Sequence, residues 1–162
     1  MRLQATILGL ACAAGLAGRT AAMEPGAHLH PLAPERTTLD SDIVTAPMQL
    51  GSGRPVVQVR VNGRGPYDFI LDTGAGTTVI DSALAESLGL AAVGQDSIGD
   101  PRNPRALAVQ WMRADSLQLG GLTVTGLPMA NFNIRRMLGS RYGGILGLPT
   151  FASVLVSLDY PR

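Results

Sequence analysis

Cysteine, charge and aromatic side chains are scarce in this chain of 162 residues. Charged residues make up 15% of it and aromatic residues 4%, and all 13 basic residues are arginine. With a formal net charge of +1, the chain lacks the basic surplus that neutralises phosphates, which excludes nucleic acid as an expected partner. The length suffices for one domain with a hydrophobic core, but not for two lobes of ordinary size.

The single cysteine, Cys12, lies in an apolar run near the N-terminus. This run, residues 3–16, follows a positive start and precedes small residues, which is the pattern of a signal peptide. We predict a signal peptide over residues 1–22 and a periplasmic or secreted protein. The run is short for a bilayer, so no stable membrane span is expected. The residues before Cys12 fit a lipoprotein site poorly, and lipid anchoring there is the less favoured alternative.

Residues 23–53 contain several prolines and little periodicity. This composition predicts a Pro-rich flexible tether with at most one short strand, near Ile43. His28 and His30 lie in it, but two histidines without a third ligand nearby do not indicate a metal site. The folded domain is predicted over residues 54–162.

Short apolar runs separated by turns dominate the domain, which predicts an all-β class with one or two short helices. A hairpin is expected from strands 57–61 and 67–71. Further strands are predicted over 77–80, 106–112, 116–119, 122–125, 127–134 and 154–160. A helix over 83–88 is expected after a cap at Asp81 or Ser82, and Gly89 ends it. Residues 94–105 are a candidate lid, and residues 135–143 an irregular basic loop.

The most informative residue is Asp72, which follows the apolar strand residues 69–71 and enters a turn that contains glycine. Burying a carboxylate among apolar groups costs free energy on the order of several kcal/mol unless the charge is paired or neutralised. Asp72 is therefore a candidate catalytic group. The alternative is a structural acid in a tight turn, for which Asp-Thr-Gly is favourable.

These residues resemble the retropepsin-like aspartic peptidases, the single-lobe relatives of pepsin. The resemblance covers residues 55–160. It is carried by Asp72-Thr73-Gly74-Ala75, by Thr78-Val79-Ile80, by Ile145-Leu146-Gly147, and by 61–63 with 66–72, which look like the exported bacterial branch. It implies a closed acid-protease barrel with one lobe per chain, an extended peptide or protein substrate, and neither a metal nor an organic cofactor.

Hydrolysis of a peptide bond by an aspartic peptidase needs two carboxylates that share one proton. One acts as base on a water molecule, and the other acts as acid on the carbonyl oxygen. The chain has only one Asp-Thr-Gly motif, so the second carboxylate must come from Asp72 of another copy. We therefore expect a two-fold symmetric homodimer that works as an aspartic endopeptidase.

The resemblance also implies roles around Asp72. Thr73 would join the two turns by hydrogen bonds across the dimer, and Gly74 lets the backbone approach the carboxylate. Ala75 and Gly76 would line the cleft and bind an extended peptide as an added strand. Retroviral members carry an acid where this chain has Gly76.

The lid differs from the retroviral pattern, whereas the C-terminal strand is similar to it. Ile98 and Gly99 are expected near the tip of the lid, which is less rich in glycine than its retroviral counterpart. The strand at 156–160 is expected to interleave with its copy in a dimer. The alternative functions are a non-catalytic peptide-binding or assembly module, and a truncated half of a two-lobed peptidase.

Overall fold

The computed structural model describes residues 3–9, 33–98 and 107–159, which contain eleven strands and short helices. This confirms the predicted all-β class with short helices. The strands are β1 Leu3–Gly9, β2 Arg36–Leu39, β3 Ile43–Gly51, β4 Arg54–Val61, β5 Arg64–Asp72, β6 Val79–Asp81, β7 Ala91–Ile98, β8 Leu107–Leu119, β9 Leu122–Phe132, β10 Gly144–Gly147 and β11 Val154–Asp159. The helices are α1 Ser82–Leu88, α2 Arg135–Leu138 and a 3-10 helix at Leu148–Phe151.

Six of the strands form a ring around the hydrophobic core. Neighbouring strands pair in the order β4, β5, β10, β6, β9 and β8, and a short pairing of β8 with β4 closes the ring. Strands β3, β1 and β11 continue the sheet outward from β4, while β7 extends it from β8. The largest fully buried side chains include Phe69, Ile7, Ile80, Leu117, Leu119, Leu122, Leu127, Met129 and Leu146.

The predicted hairpin is confirmed and positions the candidate catalytic residue. Asn62 and Gly63 join β4 to β5 with positive φ angles of 49° and 72°. A two-residue turn of this kind matches the twist of the flanking strands, and Asn-Gly favours it. The buried residues at 69–71 then carry β5 through the core to its end at Asp72.

The capping residues of α1 are also as predicted. The side chain of Asp81 accepts hydrogen bonds from the backbone N–H groups of Ala83 and Leu84, at 3.1 and 3.4 Å. Gly89 ends the helix in the left-handed conformation, with a φ of 66°. Glycine adopts this conformation without a steric penalty, so the local sequence fixes both ends of the helix.

Several predicted boundaries are wrong. The two strands predicted over 106–112 and 116–119 are one long strand, β8, because antiparallel pairing with β9 continues from Gln110 to Leu119. The strand predicted over 77–80 is shorter and begins at Val79. The basic loop at 135–143 contains the short helix α2. The predicted lid begins within β7, and residues 99–106 lie outside the described residues.

The described part of the predicted tether is more ordered than expected. It contains β2 and the nine-residue strand β3, where the composition predicted at most one short strand. Val44, Ala46 and Met48 alternate along β3 and are buried, while Pro47 lies on the exposed side. The period of two therefore outweighs the proline content. Strand β1 lies in the region predicted as a signal peptide, and removal of that region stays a prediction.

Candidate active site

The candidate site is built where two parallel strands end together. Strand β10 pairs with β5, and in this register Gly147 lies opposite Asp72. The backbone of β10 thus flanks the strand that delivers the carboxylate. Parallel strands are not joined by a short hairpin, so the pairing of β5 with β10 depends on contacts between distant parts of the chain. The register therefore could not be derived from either segment alone.

The turn after β5 holds the carboxylate of Asp72 in a defined orientation. Asp72 Oδ1 accepts a hydrogen bond from the N–H of Gly74 at 2.9 Å. The carbonyl oxygen of Asp72 accepts a second hydrogen bond from the N–H of Ala75 at 3.1 Å. A Cβ atom at Gly74 would lie 3.2 Å from Oδ1, which is tighter than most real contacts. Glycine at this position therefore allows the backbone to approach the carboxylate.

The same turn is exposed in the single chain. Asp72, Thr73, Gly74 and Gly76 are all solvent-exposed, although the residues just before them are buried. The expectation that the carboxylate would lie among apolar groups of its own chain is wrong, because β5 reaches the surface at its last residue. No hydrogen bond joins the Thr73 hydroxyl to another residue within the described ranges.

Two buried threonine hydroxyl groups form hydrogen bonds next to the Asp72 turn. Thr78 Oγ1 accepts a hydrogen bond from the N–H of Gly147 at 3.2 Å and lies 2.6 Å from Thr150 Oγ1. Both threonines are fully buried. The N–H of Leu148 donates to the carbonyl oxygen of Ala75 at 3.0 Å. These bonds tie the end of β10 and the 3-10 helix to Ala75 and Thr78, on the C-terminal side of the Asp72 turn.

An apolar pocket of about 280 Å³ lies beside this turn. Ala75 and Gly76, which the sequence placed in the cleft, form part of its wall. The hydroxyl of Thr77 is buried there and has no hydrogen-bond partner in the described structure. The other lining residues are Val79, Val109, Ala130, Phe132, Ile134, Met137, Leu138 and Ile145. Sequence reasoning missed these residues because they come from four separate segments.

Helix α2 contributes Met137 and Leu138 to the pocket wall and is held by an ion pair. Arg135 Nε lies 2.8 Å from Oδ1 of Asp81, the residue that caps α1. Asp81 is 1% exposed, whereas the side chain of Arg135 is 45% exposed. The ion pair thus connects the wall of the pocket to the N-terminus of α1. No sequence pattern connects residues 54 positions apart, so this link was also missed.

The predicted site residues are only partly brought together. Asp72, Thr73 and Gly74 form one turn, and Ala75 and Gly76 follow at the pocket. Ile98 ends β7 and pairs with Leu107, while Gly99 lies outside the described residues. Within the described ranges, no group of three histidine, cysteine or acidic residues is arranged to hold a metal ion.

A family model described as aspartyl protease matches residues 57–150, more than half of the chain. The chain belongs to the aspartyl protease family. The matched range contains the Asp72 turn, Thr78 and the whole of β10, so the geometry described above lies inside the family's own domain. No curated protein sequence matches this family member.

One solved structure that is similar to this aspartyl protease family member is a retropepsin-like aspartic protease from Rickettsia conorii. The two are 17% identical, and the match covers 77% of this chain and 94% of that chain with a TM-score of 0.45. In the described part of the chain, no helix has the length and apolar character needed to cross a membrane.

Proposed function

We propose that the protein is an aspartic endopeptidase that hydrolyses peptide bonds as a homodimer, with one Asp72 from each copy. The observation that carries the proposal is the Asp72 turn itself. It is anchored by the pairing of Asp72 with Gly147 and by the hydrogen bond from Leu148 to Ala75, and it is open to solvent. A carboxylate that is rigidly held and exposed within a family domain is suited to meet a second carboxylate across a two-fold axis.

The proposed chemistry uses two carboxylates and one water molecule. Two like charges about 3 Å apart do not both ionise easily, so the pair shares one proton. The ionised carboxylate takes a proton from water as the water oxygen attacks the peptide carbonyl carbon. The other carboxyl group gives its proton to the carbonyl oxygen, and a tetrahedral diol results. Its collapse transfers a proton to the leaving amine and breaks the C–N bond.

The substrate that the site fits is an extended peptide with an apolar side chain near the bond that is cleaved. The pocket at Ala75 and Gly76 is lined mainly by apolar side chains, which favours burial of such a group. Exposed Gly76 leaves room for the peptide backbone, since a Cβ there would meet no atom within 4 Å.

The signal peptide pattern supports the further proposal that the protease acts in the periplasm or outside the cell. Removal of residues 1–22 would leave a chain without cysteine. Such a chain has no thiol that could take part in catalysis, and none that could be oxidised in an oxidising compartment.

The test is cleavage of a peptide library by the chain beginning at Met23 and by the full chain. The pH would run from about 3 to about 8, a range that includes the upper of the two ionisations of a shared carboxyl pair. Asp72→Asn is expected to abolish cleavage, because an amide cannot act as base or share the proton. The matched control is Asp42→Asn, at an exposed aspartate remote from the Asp72 turn in sequence, and we expect it to keep full activity.

Equal cleavage by the wild type and Asp72→Asn would refute the proposed mechanism. Absence of cleavage by every form, together with retained binding of apolar peptides, would favour the second candidate, a non-catalytic peptide-binding module. The observation on which that candidate rests is the exposed Asp72 turn, which by itself carries only one carboxylate.

A further inference from the structure

Strand β1 occupies a position between β3 and β11. Six residue pairs join it to β3, from Leu3 opposite Met48 to Leu8 opposite Ile43. Six more join it to β11, from Gln4 opposite Asp159 to Gly9 opposite Val154. Within the described residues, β11 has no other strand partner. The C-terminal strand is therefore joined to the rest of the sheet through β1.

The direction of β1 restricts what else could fill this position. Because β1 is antiparallel to both neighbours, β3 and β11 run parallel to each other and are separated by one strand. The two lie about 10 Å apart, twice the usual spacing of paired strands. Any strand that replaces β1 must be antiparallel to both of them.

The β11 strand of a second copy meets this requirement. When a two-fold axis perpendicular to the sheet relates two copies of one strand that pair side by side, the pair is antiparallel. The partner's β11 would then run in the direction of β1, between β3 and β11. By the same symmetry, β11 would fill the corresponding position in the partner. Each copy's β11 thus fills the position of β1 in the other copy, and neither position is left empty.

The side chains of β11 also suit the position. Ile7 of β1 is fully buried and lies in register with Val44 and Val156. Along β11, Val154, Val156 and Leu158 alternate as half-buried apolar residues that pack against the core. A copy of β11 thus supplies apolar side chains with the period of two that this position needs.

We propose that β1 is a removable substitute for the partner's β11, so that the uncleaved chain is held as a monomer with half an active site. Removal of the predicted signal peptide, residues 1–22, also removes β1. This opens the position to the second copy and brings the two Asp72 carboxylates together. This regulation rests on the proposed dimeric function. In this regulation, the apolar residues of β1 delay activity until residues 1–22 have been removed.

The first experiment measures dimerisation of the full chain by analytical ultracentrifugation. All forms carry Asp72→Asn, so that self-cleavage cannot remove β1. Thr6→Pro takes a backbone N–H from the middle of β1 and introduces a ring that an inner strand does not tolerate. We expect this variant to dimerise with a Kd at least about tenfold lower than the parent, a difference of about 1.4 kcal/mol. Ala14→Pro, outside β1, is the control.

The near-ultraviolet signal of buried Trp111 reports whether the variant has kept its fold. A folded Thr6→Pro chain that dimerises no better than the parent would overturn the proposal. So would a parent chain that already dimerises as tightly as Thr6→Pro. A synthetic peptide with the sequence of residues 2–10 should return the Thr6→Pro variant to monomers.

A second experiment does not depend on the stability of the proline variant. Thr6 and Ser157 are paired across β1 and β11, and Thr6→Cys with Ser157→Cys in a Cys12→Ser background allows a disulfide to lock β1 in place. The oxidised chain should stay monomeric at concentrations where the reduced chain dimerises. Equal dimerisation of both forms would overturn the proposal. Dimers that form as expected but cleave no peptide once Asp72 is restored would instead refute the proposed function alone.

Discussion

At the scale of single residues, the site depends on glycines where backbones come unusually close. Gly147 lies beside the Asp72 turn, and a Cβ at this position would be 2.3 Å from the carbonyl oxygen of Thr77 and 2.8 Å from that of Ala75. Real Cβ atoms do not approach backbone oxygen so closely. The glycine therefore lets β10 pack against the turn that carries the candidate catalytic carboxylate.

Replacing Gly147 with alanine should destabilise the protein. Because the contacting atoms are backbone oxygens, they cannot move aside as a flexible side chain would. We expect Gly147→Ala to lower the free energy of unfolding by at least about 2 kcal/mol, as overpacking commonly does. Urea denaturation of the full chain measures this change. The matched control is Gly76→Ala, where a Cβ meets nothing within 4 Å, and it should leave stability unchanged or raise it by up to about 1 kcal/mol. Equal losses for both variants would contradict the packing argument.

At the scale of elements, helix α2 joins the apolar pocket to the rest of the domain. Its residues Met137 and Leu138 line the pocket, and Met137 is 73% exposed. A helix of four residues has little stability of its own, so its position depends on tertiary contacts. The ion pair of Arg135 with Asp81 is the charged contact that connects it to α1.

Removal of this ion pair should loosen the pocket without touching Asp72. In Arg135→Gln, the buried carboxylate of Asp81 loses its cationic partner but keeps the two N–H groups of α1. We expect a stability loss of about 1–3 kcal/mol, between the values for exposed and for buried pairs. The KM for peptides with an apolar side chain should rise, with kcat little changed. Arg136→Gln, at an exposed arginine on the same helix, is the control. A fall in kcat with KM unchanged would contradict a role limited to the pocket.

Comparison of these elements shows which features a sequence can predict. The β4–β5 hairpin and the caps of α1 were correct, because Asn62-Gly63, Asp81 and Gly89 act on their immediate neighbours. The candidate carboxylate was identified for the same reason, since its strand, turn and glycine are contiguous. The parallel register of β10 and the position of α2 depend on contacts between distant residues. They could not be read from local patterns.

At the scale of the whole molecule, the single chain is one half of a proposed site. The Asp72 turn is exposed, and β11 depends on β1 for its strand pairing within the described residues. Both features are accounted for by one event, in which a second copy replaces β1 and covers the turn. The buried environment that the sequence predicted for Asp72 would then exist in the dimer, not in the chain alone.

Mixing of subunits provides the test at this scale. A dimer with one Asp72→Asn copy has a single carboxylate, and we expect it to be inactive because the shared proton has no second site. When equal amounts of wild-type and Asp72→Asn chains beginning at Met23 are refolded together, random pairing leaves about half of the wild-type chains with an inactive partner. The activity per wild-type chain should therefore fall to about half, and a ninefold excess of variant should reduce it to about one tenth. Asp42→Asn in place of the variant should cause no loss. Activity that follows the amount of wild type alone, whatever variant is added, would show that each chain acts by itself and that Asp72 is not half of a shared pair.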